Sequence, residues 1–167
     1  WSALVAAARG LPTARIEFED SWVTHRGGAL FPERWTVDRT RFEGGWALRP
    51  GGELAVRPVA GGSACRLAIR LAPFPGSVAE SPSGPAGTVA LEIRAGERLV
   101  ATLDLTSPAN RSAQPVGELG WRTLDAGPFA FVAGESLSFR AVGSTGGSTS
   151  EGTPAFVVLD RAEVAWR

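Results

Sequence analysis

The stretch TVALEIRAGERLVATLDL, residues 88–105, decides the fold class of this chain. Each of its halves alternates apolar and polar residues, a period of two that is typical of half-buried β-strands. Between the halves, the sequence AGE at 95–97 supplies a short turn. We therefore predict a β-hairpin whose arms turn their apolar positions toward one core. These positions are Val89, Leu91 and Ile93 on the first arm and Leu99, Ala101, Leu103 and Leu105 on the second.

The same alternation recurs on both sides of the hairpin, and no amphipathic helix is evident after residue 15. Eight or nine short strands separated by turn residues predict an all-β domain, an antiparallel two-sheet β-sandwich, over residues 15–167. Residues 1–14 form a short N-terminal segment, for which an ordinary turn, a linker and the end of a signal or membrane segment all stay open. Outside the hairpin, the alternating segments are 14–22, 53–59, 65–72, 121–127, 129–134, 136–142 and 155–166.

Two segments, 73–87 and 143–155, are rich in glycine, serine and proline or threonine, and we predict that both are loops. Long loops on a rigid sandwich are common places for binding, although they also occur without any function.

Charge and composition exclude several classes of partner. The chain has 17 basic residues, all of them arginine, and 17 acidic residues, so its formal net charge is zero. Interspersed charges of both signs predict no binding to nucleic acid. No apolar run reaches the roughly 18 residues of a membrane-spanning helix, so we predict no transmembrane segment.

The sequence also lacks the usual groupings of catalytic residues. His25 and Cys65 are the only histidine and the only cysteine, too few for a zinc site and poorly placed for a nucleophile with its base. A glycosidase with paired carboxylates stays open on composition alone, but the acidic residues form no compact motif. We therefore predict that the chain is not an enzyme.

The last alternating segment, AFVVLDRAEVAW at 155–166, places a carboxylate among apolar residues. In a regular strand Asp160 shares one face with Val158, Ala162 and Val164. A buried carboxylate needs a partner. The sequence allows an arginine such as Arg15 or Arg161, a metal ion or backbone amides, which makes Asp160 a candidate site.

Several motifs together resemble the galactose-binding-like jelly rolls, in particular carbohydrate-binding modules of families 6 and 35. The likeness runs from about residue 15 to 166. It implies a non-catalytic accessory domain that contacts glycans outside the cytoplasm, as part of a secreted, periplasmic or membrane-surface protein. The motifs that carry it are IEFED (16–20), EGGWALRPGGELAVRPV (43–59), AGGSACRLAIRLA (60–72), GWRTLDAGPFAFVAGESLSFRA (120–141) and FVVLDRAEVAW (156–166).

The resemblance also implies a structural calcium site. In these modules the first and last strands are neighbours and often hold the ion between them. The matching carboxylates here are Glu17, Glu19 and Asp160. Calcium takes roughly six to eight oxygen ligands, so these residue types suit it.

For the sugar, the resemblance points to Trp46 and Trp121, which fall near the positions of the aromatic platforms in these modules. The chain departs from the pattern at Val158, where family 6 often has an asparagine, and it contains no tyrosine. We therefore expect weak binding of any glycan. The alternative is a structural module that packs against partner subunits or the parent polypeptide of a larger assembly and binds no sugar.

Overall fold

The computed structural model describes residues 13–18, 23–27, 29–30, 35–37, 40–42, 46–58, 61–73, 89–105, 121–143 and 157–166. Within these residues the structure is entirely strands and turns, and no helix there could cross a bilayer. The thirteen strands are β1 (Thr13–Glu17), β2 (Thr24–Arg26), β3 (Ala29–Leu30), β4 (Trp35–Val37), β5 (Thr40–Phe42), β6 (Trp46–Leu48), β7 (Glu53–Val56), β8 (Gly62–Pro73), β9 (Val89–Ala95), β10 (Arg98–Asp104), β11 (Arg122–Phe131), β12 (Leu137–Gly143) and β13 (Val157–Ala165).

Most of these strands form two antiparallel sheets. Sheet A has the order β11-β8-β13-β6-β3, with β1 also paired to β13. Sheet B has the order β10-β9-β12-β7-β2, and β4 and β5 form a separate pair. The all-β, antiparallel two-sheet architecture predicted from the alternation is therefore confirmed.

One apolar core joins the two sheets. Phe18, which follows β1 in sheet A, and Phe139 of sheet B are both fully buried and meet edge to face with ring centroids 5.0 Å apart. The predicted hairpin contributes Leu91, Ile93 and Leu103 to this core. The hairpin is thus confirmed, and so is the inward face of the positions whose side chains the structure describes, with one exception.

The exception is Leu99, which we predicted to face inward. A bulge between Leu99 and Ala101 shifts the register of β10 against β9. Leu99 therefore lies opposite Arg94 and is 51% exposed. The prediction was wrong for this residue because a bulge breaks the period of two on which it depended.

A second bulge corrects the predicted face of the closing strand. Leu159 pairs with Leu71, and Arg161 pairs with Arg70, so Asp160 is the extra residue between the two pairs. Before the bulge the core residues are Val157 and Leu159, and after it they are Ala162 and Val164. Val158 does not belong to the core cluster, although it is buried. Asp160 therefore follows apolar residues in the sequence because it is the extra residue of a bulge, and not because it occupies a core position.

The strands at the two ends of the described chain lie side by side, as predicted. β1 pairs antiparallel with β13, and Ile16 faces Ala162 across the ladder. The same edge of β13 pairs with β6 through Val157–Leu159. Because β1 and β6 follow one another along this edge, the Asp160 bulge lies at their junction.

Candidate functional site

Asp160 is held by an arginine of the neighbouring strand β8. The Nη1–H of Arg70 donates a hydrogen bond of 2.6 Å to Oδ2 of Asp160. The side chains are 32% and 18% exposed, respectively, so the pair is partly withdrawn from solvent. An arginine partner was one of the predicted possibilities, but Arg70 is neither of the two arginines that the sequence suggested.

The same guanidinium lies over the ring of Trp121. Its carbon Cζ is 4.7 Å from the ring centroid, which is within the range of a cation–π contact. The structure therefore brings together Trp121 and Asp160, which the sequence proposed for two different ligands, and joins them through Arg70. We call these three residues the Trp121 cluster.

The cluster lies on the outer face of sheet A. The core residues of β8 are Cys65, Leu67, Ile69 and Leu71, so Arg70 points away from the core. Thr123 lies directly opposite Arg70 on β11 and is exposed, which adds a hydroxyl beside the cluster. The guanidinium over half-buried Trp121 therefore holds a carboxylate and lies opposite a residue with a hydroxyl group.

Chemically, this arrangement suits a polar ligand with an apolar face. An aromatic ring contacts C–H groups, while a few fixed polar groups orient the ligand. The bond to Asp160 uses one N–H of Arg70, and a guanidinium has further donors in a rigid plane. Asp160 thereby restricts the orientation of those donors.

Trp46 is placed differently from Trp121. Only 8% of Trp46 is exposed, its indole N–H donates a 2.7 Å hydrogen bond to the Phe18 carbonyl, and the His25 ring lies 4.6 Å from its own. It faces Leu159 on β13 and thus points into the core, on the opposite side of sheet A from Trp121. The two tryptophans cannot form one platform, and the burial of Trp46 argues against sugar contact there.

The structure describes two of the three carboxylates that we predicted to bind calcium. Glu17 forms an ion pair with Arg15 and Asp160 pairs with Arg70, whereas Glu19 lies outside the described residues. The first and last strands do meet here, since the Phe18 N–H donates to the Asp160 carbonyl at 3.3 Å. Among the described residues no group of three His, Cys, Asp or Glu side chains could hold a metal. The described side chains do not fit a calcium site by themselves, and the calcium expected from the resemblance is left to experiment.

Cys65 lies in the core and is 1% exposed. Burial raises the pKa of its thiol, so the neutral form is favoured at neutral pH. A buried, protonated thiol has neither the access nor the charge of a nucleophile.

The fold has clear relatives among solved structures, although no protein-family model and no curated protein matches the chain. One is the C-terminal family 6 carbohydrate-binding module of a marine laminarinase from Zobellia galactanivorans, with 12% identity, a TM-score of 0.52, and coverage of 92% of this chain and 99% of that one. Another is a family 36 module of a multidomain xylanase from the hindgut metagenome of Trinervitermes trinervoides, with 9% identity, a TM-score of 0.55, and coverage of 93% and 98%.

A third relative is much longer. It is a family 43 arabinoxylan arabinofuranohydrolase from Bacillus subtilis in complex with cellotetraose, with 18% identity and a TM-score of 0.57. The match spans 92% of this chain but 27% of that enzyme. At these identities the comparisons show the fold: the chain is a jelly-roll sandwich like those of carbohydrate-binding modules, as its motifs predicted.

Proposed function

We propose that the chain is a non-catalytic carbohydrate-binding module that acts outside the cytoplasm as an accessory domain of a larger protein. The observation that carries the proposal is the Trp121 cluster, an indole with a fixed guanidinium and carboxylate on the outer face of a jelly-roll sheet. The shared fold supports the proposal, because two of its relatives are modules of enzymes that act on polysaccharides.

In this proposal, a sugar ring packs against the part of the Trp121 ring that Arg70 leaves uncovered, while Arg70 and Thr123 bind its hydroxyls. We expect an affinity on the order of millimolar, or about 4 kcal/mol. Affinity is low because Trp46 offers no second platform and Val158 is only 2% exposed and supplies no polar group. A site with few hydroxyl contacts also discriminates poorly between glycans.

The experiment is a titration with laminari-, xylo- and cello-oligosaccharides, followed by tryptophan fluorescence and calorimetry, with calcium or with EDTA. Trp121→Ala should abolish the binding. The matched control is Trp166→Ala, since Trp166 is also half-buried but packs against the core. Loss of binding in the control alone would contradict the proposal, and the melting temperature of each variant shows whether it folds.

The alternative is a structural module that docks on other proteins. Two large apolar side chains favour it, Leu99 at 51% and Val132 at 67% exposure. If none of the glycans binds, while Leu99→Ser and Val132→Ser weaken association with the parent polypeptide, the alternative replaces our proposal.

A further inference from the structure

A second arginine lies next to the Trp121 cluster on the outer face of sheet A. Across the ladder between β8 and β13, Arg161 lies directly opposite Arg70. Residues opposite each other in an antiparallel pair share one face of the sheet, with Cβ atoms about 5 Å apart. Because the next residue, Ala162, belongs to the core, half-buried Arg161 points to the outer face. The bulge at Asp160 thus leaves two arginines side by side.

The two arginines differ in their partners. Asp160 accepts the hydrogen bond of Arg70. On the other side of Arg161, Glu17 lies directly opposite it on β1, but the Glu17 carboxylate forms its ion pair with Arg15. Within the part of the chain that the structure describes, Arg161 forms neither an ion pair nor a hydrogen bond. One guanidinium beside the cluster therefore has no carboxylate bound to it.

This pairing of like charges favours an anion between the two arginines. Like charges directly opposite each other on neighbouring strands destabilise a sheet. Glu163 follows Arg161 on the same face of β13, but it lies opposite Ala68, one row further from Trp121, and forms no ion pair with a described arginine. An external anion that binds both guanidinium groups would lie close to the indole ring.

We propose that the two arginines make the Trp121 cluster selective for sulfated glycans, a substrate class that rests on the proposed function and narrows it. A sulfate ester carries a full negative charge and three terminal oxygens in a tetrahedral arrangement, so it accepts hydrogen bonds from two guanidinium groups at once. A carboxylate holds its two oxygens in one plane and suits a single guanidinium. The sugar ring contacts the uncovered part of Trp121, and its sulfate lies between Arg70 and Arg161.

The test is calorimetric titration of the whole chain with laminaritetraose and two derivatives, one sulfated at C6 of each ring and one oxidised there to the uronic acid. We expect the sulfated compound to bind about 10-fold or more tightly than laminaritetraose, the usual gain from a hydrogen bond between charged groups. Its affinity should fall as salt is raised. A uronic acid that binds as tightly as the sulfated compound would overturn the assignment to sulfate.

Arg161→Gln should weaken binding of the sulfated compound about 10- to 100-fold and remove most of its advantage over laminaritetraose. Because Arg161 has no partner among the described residues, we expect the variant to melt at the same temperature as the unaltered protein. A loss of affinity then cannot be attributed to unfolding.

The matched control is Arg66→Gln. Arg66 is also a half-buried arginine that faces outward from β8, it lies four residues from Arg70, and it too has no ion pair within the described part of the chain. Its replacement should leave affinity for the sulfated compound unchanged. Equal losses in the two variants would mean a general attraction to positive charge and would overturn the proposed site.

Trp121→Ala separates this inference from the proposed function. If all three compounds bind equally and Trp121→Ala abolishes their binding, the selectivity for sulfate fails and the proposed function stands. If none of the three binds, the proposed function itself fails. If the sulfated compound binds but Trp121→Ala does not weaken it, the arginines bind sulfate without the ring, and the assignment to a glycan is wrong.

Discussion

Asp160 takes part in two different arrangements at once. Its backbone occupies a bulge, and its carboxylate accepts the hydrogen bond that fixes Arg70 over Trp121. Since the pair is partly buried, removing one partner leaves the other with a desolvation cost that is no longer offset. The interaction between the two side chains should therefore be measurable.

A double-mutant cycle of Asp160→Asn and Arg70→Gln tests this. We expect a coupling of about 1–2 kcal/mol in the free energy of unfolding, measured by urea denaturation. The control cycle uses Arg15 and Glu17, whose side chains are 53% and 38% exposed, and should give less than about 1 kcal/mol. A coupling at Asp160 no larger than that of the control would contradict our account.

The same pair predicts how the protein responds to calcium. Because Arg70 and Arg15 occupy the two described carboxylates, we expect the melting temperature to be the same in EDTA and in millimolar calcium. A metal that binds only the native state would raise it. A calcium-dependent increase that Asp160→Asn removes would contradict this expectation and support the calcium site instead.

The sequence predicted part of the candidate site. Trp121 and Asp160 were both identified, on the family resemblance and on the cost of burying a carboxylate. Arg70 was not, because alternation shows only that it faces outward. Its partners depend on the register between β8 and its two neighbours, which no local pattern encodes.

At the scale of the elements, the alternation of apolar and polar residues predicted the positions of the strands well. It was less successful in predicting which face of the sheet each residue occupies. Residues 157–159 are all apolar, so the pattern fits a strand with either face inward. The structure chooses Val157 and Leu159 through the bulge. Similarly, the two strands predicted at 121–127 and 129–134 are one strand, β11, with irregular pairing between Ala126 and Phe129.

Deleting Asp160 tests the role of the bulge. Without the extra residue, Leu159 and Ala162 are two positions apart, so the core residues on both sides keep their inward face in a regular strand. We therefore expect the deletion variant to unfold as cooperatively in urea as Asp160→Ala. A deletion variant that loses cooperative unfolding, while the Ala variant retains it, would contradict the assignment of Asp160 as the extra residue of the bulge.

Two glycines with positive φ provide a matched test of local packing. Gly127 has φ 108°, and a Cβ there would lie 2.6 Å from the Cys65 carbonyl oxygen, whereas Gly134 has φ 79° and open space around it. Gly134→Ala should cost about 1–2 kcal/mol through backbone strain alone. Gly127→Ala should cost clearly more, because the clash with β8 adds to the strain. Equal losses of stability in denaturant titrations would contradict the clash.

At the scale of the whole molecule, the alternation predicted a two-sheet sandwich, and the resemblance added the jelly-roll fold and the pairing of the first and last strands. The order of the strands within each sheet does not follow from alternation, because pairing between distant segments is set by the joint packing of the core. The short strands β2–β6 have two or three residues each, too few for a period to be recognised.

The reactivity of the buried Cys65 thiol can show whether the core unfolds as one cooperative unit. Cys65 is 1% exposed, and burial raises its pKa, so little reactive thiolate forms in the native protein. We expect Ellman's reagent to react with Cys65 only as the protein unfolds, with the urea dependence of the reaction matching that of the far-UV circular dichroism. Rapid labelling in native buffer would mean that β8 opens without global unfolding.

The pairing of β1 with β13 also determines how the domain bears mechanical load. Thr13 and Ala165 face each other at one end of an antiparallel ladder. A force that pulls these two residues apart acts along the inter-strand hydrogen bonds, which lie perpendicular to the strands. The bonds then break in succession from Thr13 toward Glu17, as in opening a zipper, so β1 peels away at low force. Tension along the strand axes would load all of these bonds together and meet far greater resistance.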